Sequence, residues 1–259
     1  MARTALITGA SGGLGYEMAI LFARDGWDCV LTARSADKLG VLADRLRAEH
    51  RVNVHVIAKD LAHPAAPGEI WSALQAARVQ VDVLVNNAGF PTYGLFWELD
   101  AKTELEELQV NIVALTHLTK LFVPGMVARR DGRVLNVAST AAFEPGPLMA
   151  VYYASKAYVL SFSEALAEEL RGTGVSVTAL CPGPTRTGFQ KRGAMEGSRL
   201  LRGDIADAGS VAAAGYRGLM ARKTLIIPGW SNKMVPLAAR LTPRSIMTRM
   251  VHRAQQRVR

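Results

Sequence analysis

Two residues four positions apart, Tyr152 and Lys156, form the pair in this sequence best suited to acid–base chemistry. The apolar residues around them recur at helical spacing as far as Arg171, which predicts a helix. Positions i and i+4 share one face of a helix, so the phenol and the ammonium should lie side by side. A nearby cation favours the phenolate, so we expect the pKa of Tyr152 below its usual ~10 and a role in proton transfer. The alternative is a chance pairing on a solvated helix face.

A serine and an asparagine are expected near this pair. Ser139 ends the fifth predicted strand, and its hydroxyl could donate a hydrogen bond to a substrate carbonyl oxygen beside the phenol. A serine at a strand end is more commonly a turn residue. Asn111 lies between two predicted helices, 102–110 and 111–130, where its amide could interrupt the backbone ladder and expose a carbonyl group.

The first predicted strand ends in a glycine-rich turn that leads directly into a helix. Glycines allow a sharp turn and let backbone N–H groups approach a pyrophosphate at the helix N-terminus. The spacing is Gly-x-x-x-Gly-x-Gly, which differs from the Gly-x-Gly-x-x-Gly dinucleotide fingerprint. Its position between a strand and a helix favours nucleotide binding over a simple chain reversal, and the turn reads Thr8-Gly9-Ala10-Ser11-Gly12-Gly13-Leu14-Gly15.

The residues after the second and third predicted strands bear on the choice of cofactor. NAD-binding sheets usually place an acid after the second strand to hold the ribose hydroxyls, whereas an arginine suits the 2′-phosphate of NADP. This chain has Arg34 and no acid there, which favours NADP(H) over NAD(H), with a merely solvated arginine as the alternative. Asp60 and Leu61 could bound the adenine or cap a helix.

Two adjacent asparagines end the fourth predicted strand, in Asn86-Asn87-Ala88-Gly89. Asparagine is a poor strand former, so a specific hydrogen-bonding task is expected here, with an ordinary turn as the alternative.

The order of the elements predicts the fold. Apolar runs of strand length alternate with helical patterns, which implies right-handed crossovers and a parallel sheet covered on both faces. We therefore expect an α/β, Rossmann-type doubly wound parallel sheet of about seven strands. Residues 1–231 should form one dinucleotide-binding and catalytic domain and residues 232–259 a basic extension, with the strands near 4–7, 29–33, 52–58, 81–85, 133–138, 175–180 and 224–227.

With these motifs together, the chain resembles the short-chain dehydrogenase/reductase family over residues 3–230. The resemblance implies that Tyr152 is the general acid/base and that Ser139 orients the carbonyl. It implies that Lys156 lowers the tyrosine pKa and holds the nicotinamide ribose, and that Asn111 carries a proton relay. The implied cofactor contacts are Thr8, Gly9, Ser11, Gly12, Gly13, Leu14, Gly15, Arg34, Asp60, Leu61, Asn87, Ala88, Gly89, Tyr152, Lys156, Pro182, Gly183, Thr185 and Thr187.

The chain departs from the family pattern in two places. NADP-preferring members often carry a basic residue just before the middle glycine, where this chain has Gly12, so the 2′-phosphate would rest mainly on Arg34. Many members also end soon after the last strand, whereas this chain continues for about thirty residues beyond Ile227.

Hydride transfer between a nicotinamide and a carbonyl or alcohol is the expected reaction. The loops 90–96, 141–149 and 189–201 favour an apolar substrate over a sugar, because they contain Phe90, Tyr93, Phe96, Phe143, Leu148, Met149 and Phe189. One alternative is a 3-ketoacyl-thioester reductase, which would use the basic residues Arg186, Lys191, Arg192, Arg199 and Arg202. The other is a catalytically silent, cofactor-binding regulatory protein, against which the intact Ser139, Tyr152 and Lys156 argue.

The positive charge of the chain is concentrated near its end. Of its 31 Lys and Arg, seven lie in residues 233–259, which contain no acid, and the net charge of the whole chain is +9. A stripe of Ile246, Met250 and Ala254, with Met247 and Val251 beside it, predicts an amphipathic helix there. Such a helix could lie in a membrane interface, pack on the domain, or join a homo-oligomer.

The cysteine content and the lengths of the apolar runs argue against several other classes of protein. The two cysteines, Cys29 and Cys181, lie in strand-like runs and suggest neither a disulfide framework nor a metal site. No apolar run reaches ~18 residues, and no signal-peptide pattern precedes the first strand. We expect a cytoplasmic dimer or tetramer that acts on a small molecule and not on nucleic acid, with peripheral membrane contact through residues 233–259 as one alternative.

Overall fold

Seven parallel strands form one sheet in the computed structural model, which describes residues 3–188 and 205–256. The order across the sheet is β3-β2-β1-β4-β5-β6-β9, and every neighbouring pair is parallel. These strands are β1 Thr4–Thr8, β2 Asp28–Ala33, β3 Val54–Ala58, β4 Val83–Asn86, β5 Gly132–Val137, β6 Val175–Leu180 and β9 Leu225–Ile226. Two short strands, β7 Thr185–Arg186 and β8 Ala206–Asp207, pair separately.

Helices cover both faces of the sheet because its central strands are apolar on both sides. Ile7 and Leu31 face one core with α1 and α2, whereas Leu6 and Val30 face the other with α3 and α5. The predicted doubly wound α/β fold is confirmed. The helices are α1 Gly13–Arg24, α2 Ala36–His50, α3 Ala66–Ala76, α4 Ala101–Leu108, α5 Leu115–Arg129, α6 Ala150–Glu169, α7 Ala208–Met220, α8 Trp230–Leu241 and α9 Arg244–Gln255.

The two helices expected on either side of Asn111 are joined. A π-helical turn, Gln109–Ala114, links α4 to α5 without a break in the helix, so the prediction of two separate helices was wrong. Among the described residues, 101–129 form the one helix that is long and apolar enough to cross a membrane by length and composition. Half of its most apolar window is buried, with Leu118 and Phe122 in the core, as in the core helix of a globular domain.

A chain of buried polar side chains connects the sheet to the helices behind it. The Asn86 amide on β4 donates to Asn136 on β5 over 2.9 Å and to Thr119 on α5 over 3.0 Å. Asn136 then donates to the Ser163 hydroxyl on α6 over 2.9 Å. All four residues are buried, so this chain holds α6 at one position along the sheet. The hydrogen-bonding task expected of the adjacent asparagines is confirmed for Asn86.

Candidate active site

A cavity of about 660 Å³ opens at the carboxyl ends of the strands. In a parallel sheet this is the edge at which ligands bind. Most of the residues predicted for the site line it: Gly9, Ser11, Gly12, Gly13, Leu14, Arg34, Asp60, Leu61, Asn87, Ala88, Gly89, Ser139, Tyr152, Lys156, Pro182, Gly183, Thr185 and Thr187. Thr8, Gly15 and Asn111 lie behind the cavity wall, and their positions explain the shape of that wall.

Thr8 and Asn87 join the ends of β1 and β4. The Thr8 hydroxyl accepts hydrogen bonds from the backbone N–H groups of Asn87 and Ala88, each over 2.9 Å, and Asn87 Nδ2 donates to the carbonyl of Thr8 over 2.8 Å. Gly15 must be glycine, because a Cβ there would lie 2.5 Å from both Asn87 Nδ2 and the Gly9 carbonyl oxygen. Thr8, Gly15 and Asn87 therefore support the glycine turn from behind.

The glycine turn presents the N-terminus of α1 to the cavity. Gly9 and Gly13 adopt positive φ angles of 67° and 57°, which only glycine adopts readily. No side chain caps the helix, and no acid lies in its first turn. The first N–H groups of a helix have no partner within the helix, so this end suits an anion such as a pyrophosphate. The turn fits the dinucleotide phosphates that the sequence predicted there.

Burial dominates the chemistry of Tyr152. Removal from water raises the pKa of the phenol, and a hydrogen bond with Ser139 opposes the rise. The expectation that Lys156 brings this pKa below its usual value is therefore wrong for this arrangement. The ammonium lies 5.7 Å from the centroid of the Tyr152 ring and donates to the Val137 carbonyl over 2.8 Å. Ser139 and Tyr152 are brought together as the sequence predicted.

Lys156 is itself buried, with 5% of its surface exposed. Burial lowers its pKa to about 8, and the nearby Glu107 carboxylate acts in the opposite direction. A pKa near 8 leaves the ammonium as the major form at pH 7, with a larger neutral fraction than an ordinary lysine has.

Asn111 secures the wall behind Lys156. Its side chain accepts from the Phe90 N–H and donates to the Phe90 carbonyl, both over 3.1 Å, and also donates to Ser155 on α6. Gly89 packs against it, since a Cβ at Gly89 would lie 2.9 Å from Asn111 Oδ1. Asn111 lies in the π-helical turn, where the backbone hydrogen-bond pattern departs from that of an α-helix. Its part in a proton relay stays a prediction.

Glu107 is a candidate that the sequence reasoning missed. It lies one helical turn before Asn111 and is fully buried. Thr92 donates to Glu107 Oε2 over 2.8 Å, whereas Oε1 has no hydrogen-bond partner among the described residues. Burial raises the pKa of this carboxyl to about 7, and Lys156 opposes the rise. An acid at the i−4 position on the face that carries Asn111 was the available signal.

The C-terminal helices form the far wall of the cavity, which confirms the alternative in which the terminal helix packs on the domain. Asn232 and Val235 on α8 and Gln255 on α9 line it. Gln255 Nε2 donates to the Tyr153 hydroxyl over 2.6 Å, and the Tyr93 hydroxyl donates to the Gln255 carbonyl over 2.5 Å. Residues expected only as an extension thus belong to the site.

Several sequence expectations about this region need correction. Of the apolar residues predicted on one face of α9, Met247 and Val251 are buried, as is Gln255, whereas Ile246 and Met250 are about half exposed. Phe90 packs in the core between the sheet and α5 and does not line the cavity. Of the other apolar residues proposed for substrate contact, Met149 lines the cavity, Phe96 is exposed, and Phe189 lies outside the described residues.

The buried carboxyl gives a testable prediction about stability. The free energy of unfolding of Glu107→Gln, taken relative to that of the parent chain, should be higher at pH 8 than at pH 5 by on the order of 2–3 kcal/mol. A pKa raised to about 7 from the ordinary 4.5 means that folding stability falls as pH rises through this window, and the amide abolishes that fall. Urea unfolding at the two pH values measures it. Glu106→Gln, at a more exposed position on the same helix, is the control, and it should change the free energy of unfolding by the same amount at both pH values. If Glu107→Gln changes the free energy of unfolding by the same amount at both pH values, the raised pKa of Glu107 is contradicted.

Known proteins resemble this chain in sequence and in fold. The family model for short chain dehydrogenases matches residues 3–196. Human very-long-chain 3-oxoacyl-CoA reductase is 34% identical over 69% of this chain, which spans only 58% of that protein's length. A Sphingobium yanoikuyae short-chain dehydrogenase in complex with NADPH superposes with a TM-score of 0.83 at 34% identity, covering 88% of each chain.

A second solved structure extends the similarity to the C-terminal helices. A short-chain dehydrogenase/reductase from Burkholderia phymatum in complex with NAD has a TM-score of 0.82 at 26% identity. The alignment covers 100% of this chain and 98% of the other. The fold, the ordered motifs and these matches agree, and the chain belongs to the short-chain dehydrogenase/reductase family of oxidoreductases.

Proposed function

We propose that this protein is an NADP(H)-dependent oxidoreductase that transfers a hydride between the nicotinamide and an apolar ketone, aldehyde or alcohol. The observation that carries the proposal is the convergence of Ser139, Tyr152 and Lys156 on one cavity that also receives the glycine turn and Arg34. A protein that only bound the cofactor would have no need of a serine, a tyrosine and a lysine that converge in this way.

Tyr152, Ser139 and Lys156 have different roles in the proposed proton transfer. A nicotinamide bound in the cavity would supply or accept the hydride. In the direction of reduction, the Tyr152 phenol donates its proton to the substrate oxygen, and the Ser139 hydroxyl donates a hydrogen bond to the same atom. The Lys156 ammonium, 5.7 Å from the phenol ring centroid, favours the phenolate that remains. Burial raises the pKa of Tyr152, so the phenol holds its proton at neutral pH until the substrate oxygen accepts it.

Basic residues at the adenosine end support NADP(H) as the cofactor. Arg34, Lys38 and Lys59 all line this part of the cavity. Lys59 is engaged by Glu69 over 2.6 Å, and Arg34 lies 4.0 Å from Asp60 with 56% of its side chain exposed. Arg34 and Lys38 are therefore positioned to meet a 2′-phosphate. Structural relatives bind NADPH in one case and NAD in another, so this end of the cavity, and not family membership, carries the cofactor assignment.

The substrate end of the cavity supports an apolar carbonyl compound. Met149, Tyr153 and Val235 line it beside the catalytic pair. A second candidate is a 3-oxoacyl thioester, which the name of the human relative suggests. Of the basic residues proposed to attract such a substrate, Arg186 is exposed and the others lie outside the described residues. The cytoplasmic location and a homo-oligomeric state stay predictions.

A substrate panel tests the proposal. Apolar ketones, aldehydes and 3-oxoacyl thioesters are each offered with NADPH and with NADH, and cofactor oxidation is followed by absorbance. We expect turnover of apolar ketones or aldehydes with NADPH. Turnover of thioesters alone would select the second candidate. Tight NADPH binding without turnover on any compound would select a regulatory protein.

Tyr152→Phe should lower kcat by about 10²–10⁴-fold, because the proton donor is lost. NADPH affinity, measured by fluorescence titration, should change only a few-fold. Tyr153→Phe is the matched control, since this neighbouring phenol bonds Gln255 and not Ser139, and it should keep most of its kcat. A Tyr152→Phe enzyme with near-parental kcat would refute the assignment.

Arg34→Ala should raise the KM for NADPH while leaving the KM for NADH nearly unchanged, because only NADPH carries the 2′-phosphate. Loss of one charge-assisted contact corresponds to a selectivity change of about 10–100-fold. Arg47→Ala, which removes an exposed arginine of α2 paired with Asp44, is the control. Equal losses for both cofactors would mean that Arg34 is structural.

A further inference from the structure

Helix α8 exposes an apolar stripe to solvent. A helix on a globular domain ordinarily turns its apolar residues inward, yet no residue of α8 is buried. Its large apolar residues recur at i, i+4, i+7 and i+11 and have 45% to 79% of their surface exposed: Trp230, Met234, Leu237 and Leu241. The inner side of the helix instead carries Asn232, Val235 and Ala239, which meet the cavity and the core beside it.

Helix α9, which follows α8 in the chain, also exposes apolar residues while its other side is anchored to the domain. Met247, Val251 and Gln255 are buried against the cluster that contains Tyr152 and Tyr153. Ile246 and Met250 lie on the opposite side and are about half exposed. We call the outward apolar residues of the two helices the C-terminal face: Trp230, Met234, Leu237, Leu241, Ile246 and Met250.

The charge around this face has one sign. At ~100° per residue, Lys233 and Arg240 flank the stripe of α8 on one side, and Arg249 and Arg253 share the outer side of α9. Within the described residues none of these four cations takes part in an ion pair with an acid. The sequence 208–259 contains no aspartate or glutamate.

We propose that the C-terminal face binds the surface of an anionic lipid membrane. Exposed apolar side chains would enter the headgroup region, Trp230 would supply an aromatic anchor, and the flanking lysine and arginines would reach lipid phosphates through their long stems. A second copy of this chain is a poor occupant, because a two-fold contact would set these cations against themselves with no acid to compensate.

The position of the face links the membrane to the active site. The same two helices that carry it supply Asn232, Val235 and Gln255 to the cavity wall. Docking would therefore hold the substrate end of the cavity next to the lipid, from which an apolar substrate could enter. The docking inference itself rests on the exposed face and its charge, and it does not depend on the reaction proposed above.

Vesicle sedimentation of the full chain tests the proposal. The protein should sediment with phosphatidylserine-rich vesicles at low salt and at least about tenfold more weakly with pure phosphatidylcholine vesicles or at high salt. The double variant Trp230→Ser/Leu241→Ser should lose binding by about tenfold or more through lost apolar contact. Lys233→Glu/Arg240→Glu should lose it by a similar factor. Point substitutions are used because truncation would also remove Val235 and Gln255 from the cavity.

Matched control variants carry the same types of substitution at exposed positions outside the C-terminal face. Val41→Ser/Leu105→Ser and Lys102→Glu/Lys120→Glu should bind vesicles like the parent chain. An unchanged thermal midpoint shows that each variant is folded. No binding by the parent chain, or equal binding by face variants and controls, would overturn the proposal. It would also be overturned by light scattering that finds a dimer for the parent and a monomer for Trp230→Ser/Leu241→Ser, since the face would then join two copies.

Discussion

The buried chain of hydrogen bonds through Asn86, Asn136 and Ser163 is the constraint on which the site depends. It passes from β4 to β5 and then to α6, the helix that carries Tyr152 and Lys156. A helix that packs on a sheet through apolar contacts alone can slide or rotate at small cost. Buried amides left without partners would cost about 1–3 kcal/mol each, so this chain opposes such movement. The phenol and the ammonium consequently meet Ser139 at a defined place.

The same interior position determines the electrostatics. Tyr152, Lys156 and Glu107 are all buried, and burial pushes each of them toward its neutral form. For the tyrosine this opposes the simple expectation that a neighbouring cation lowers the phenol pKa. For the lysine and the glutamate it brings both pKa values near neutrality, where the two groups partly stabilise each other's charge. The charge states of these three groups are therefore governed by their burial and by one another.

The C-terminal helices have two different sides. Gln255, Met247 and Val251 complete the cavity and the small core beside it, whereas Trp230 and Leu241 face solvent. One element thus contributes to the shape of the substrate end and offers a basic, apolar outer surface.

The sequence by itself determined the fold class, the family and nearly all of the cavity's cofactor-side residues. It could do so because strand–helix alternation and strand-end motifs are local patterns, and parallel strands bring their carboxyl ends to one edge regardless of detail. Tyr152 and Lys156 could be paired from i, i+4 spacing alone. The cavity contacts of Arg34 followed from its place after β2.

Only the tertiary structure decided the features that depend on burial and on contacts between distant residues. The raised pKa of Tyr152 reflects desolvation, which no spacing rule reports. Thr92 and Lys156 form part of the environment of Glu107, and Gln255 contacts Tyr153, which lies 102 residues away in the sequence. The sequence did not indicate the outward stripe of α8 for the same reason. A helical period shows which residues share a face, but the packing of the whole chain determines whether that face contacts the core or the solvent.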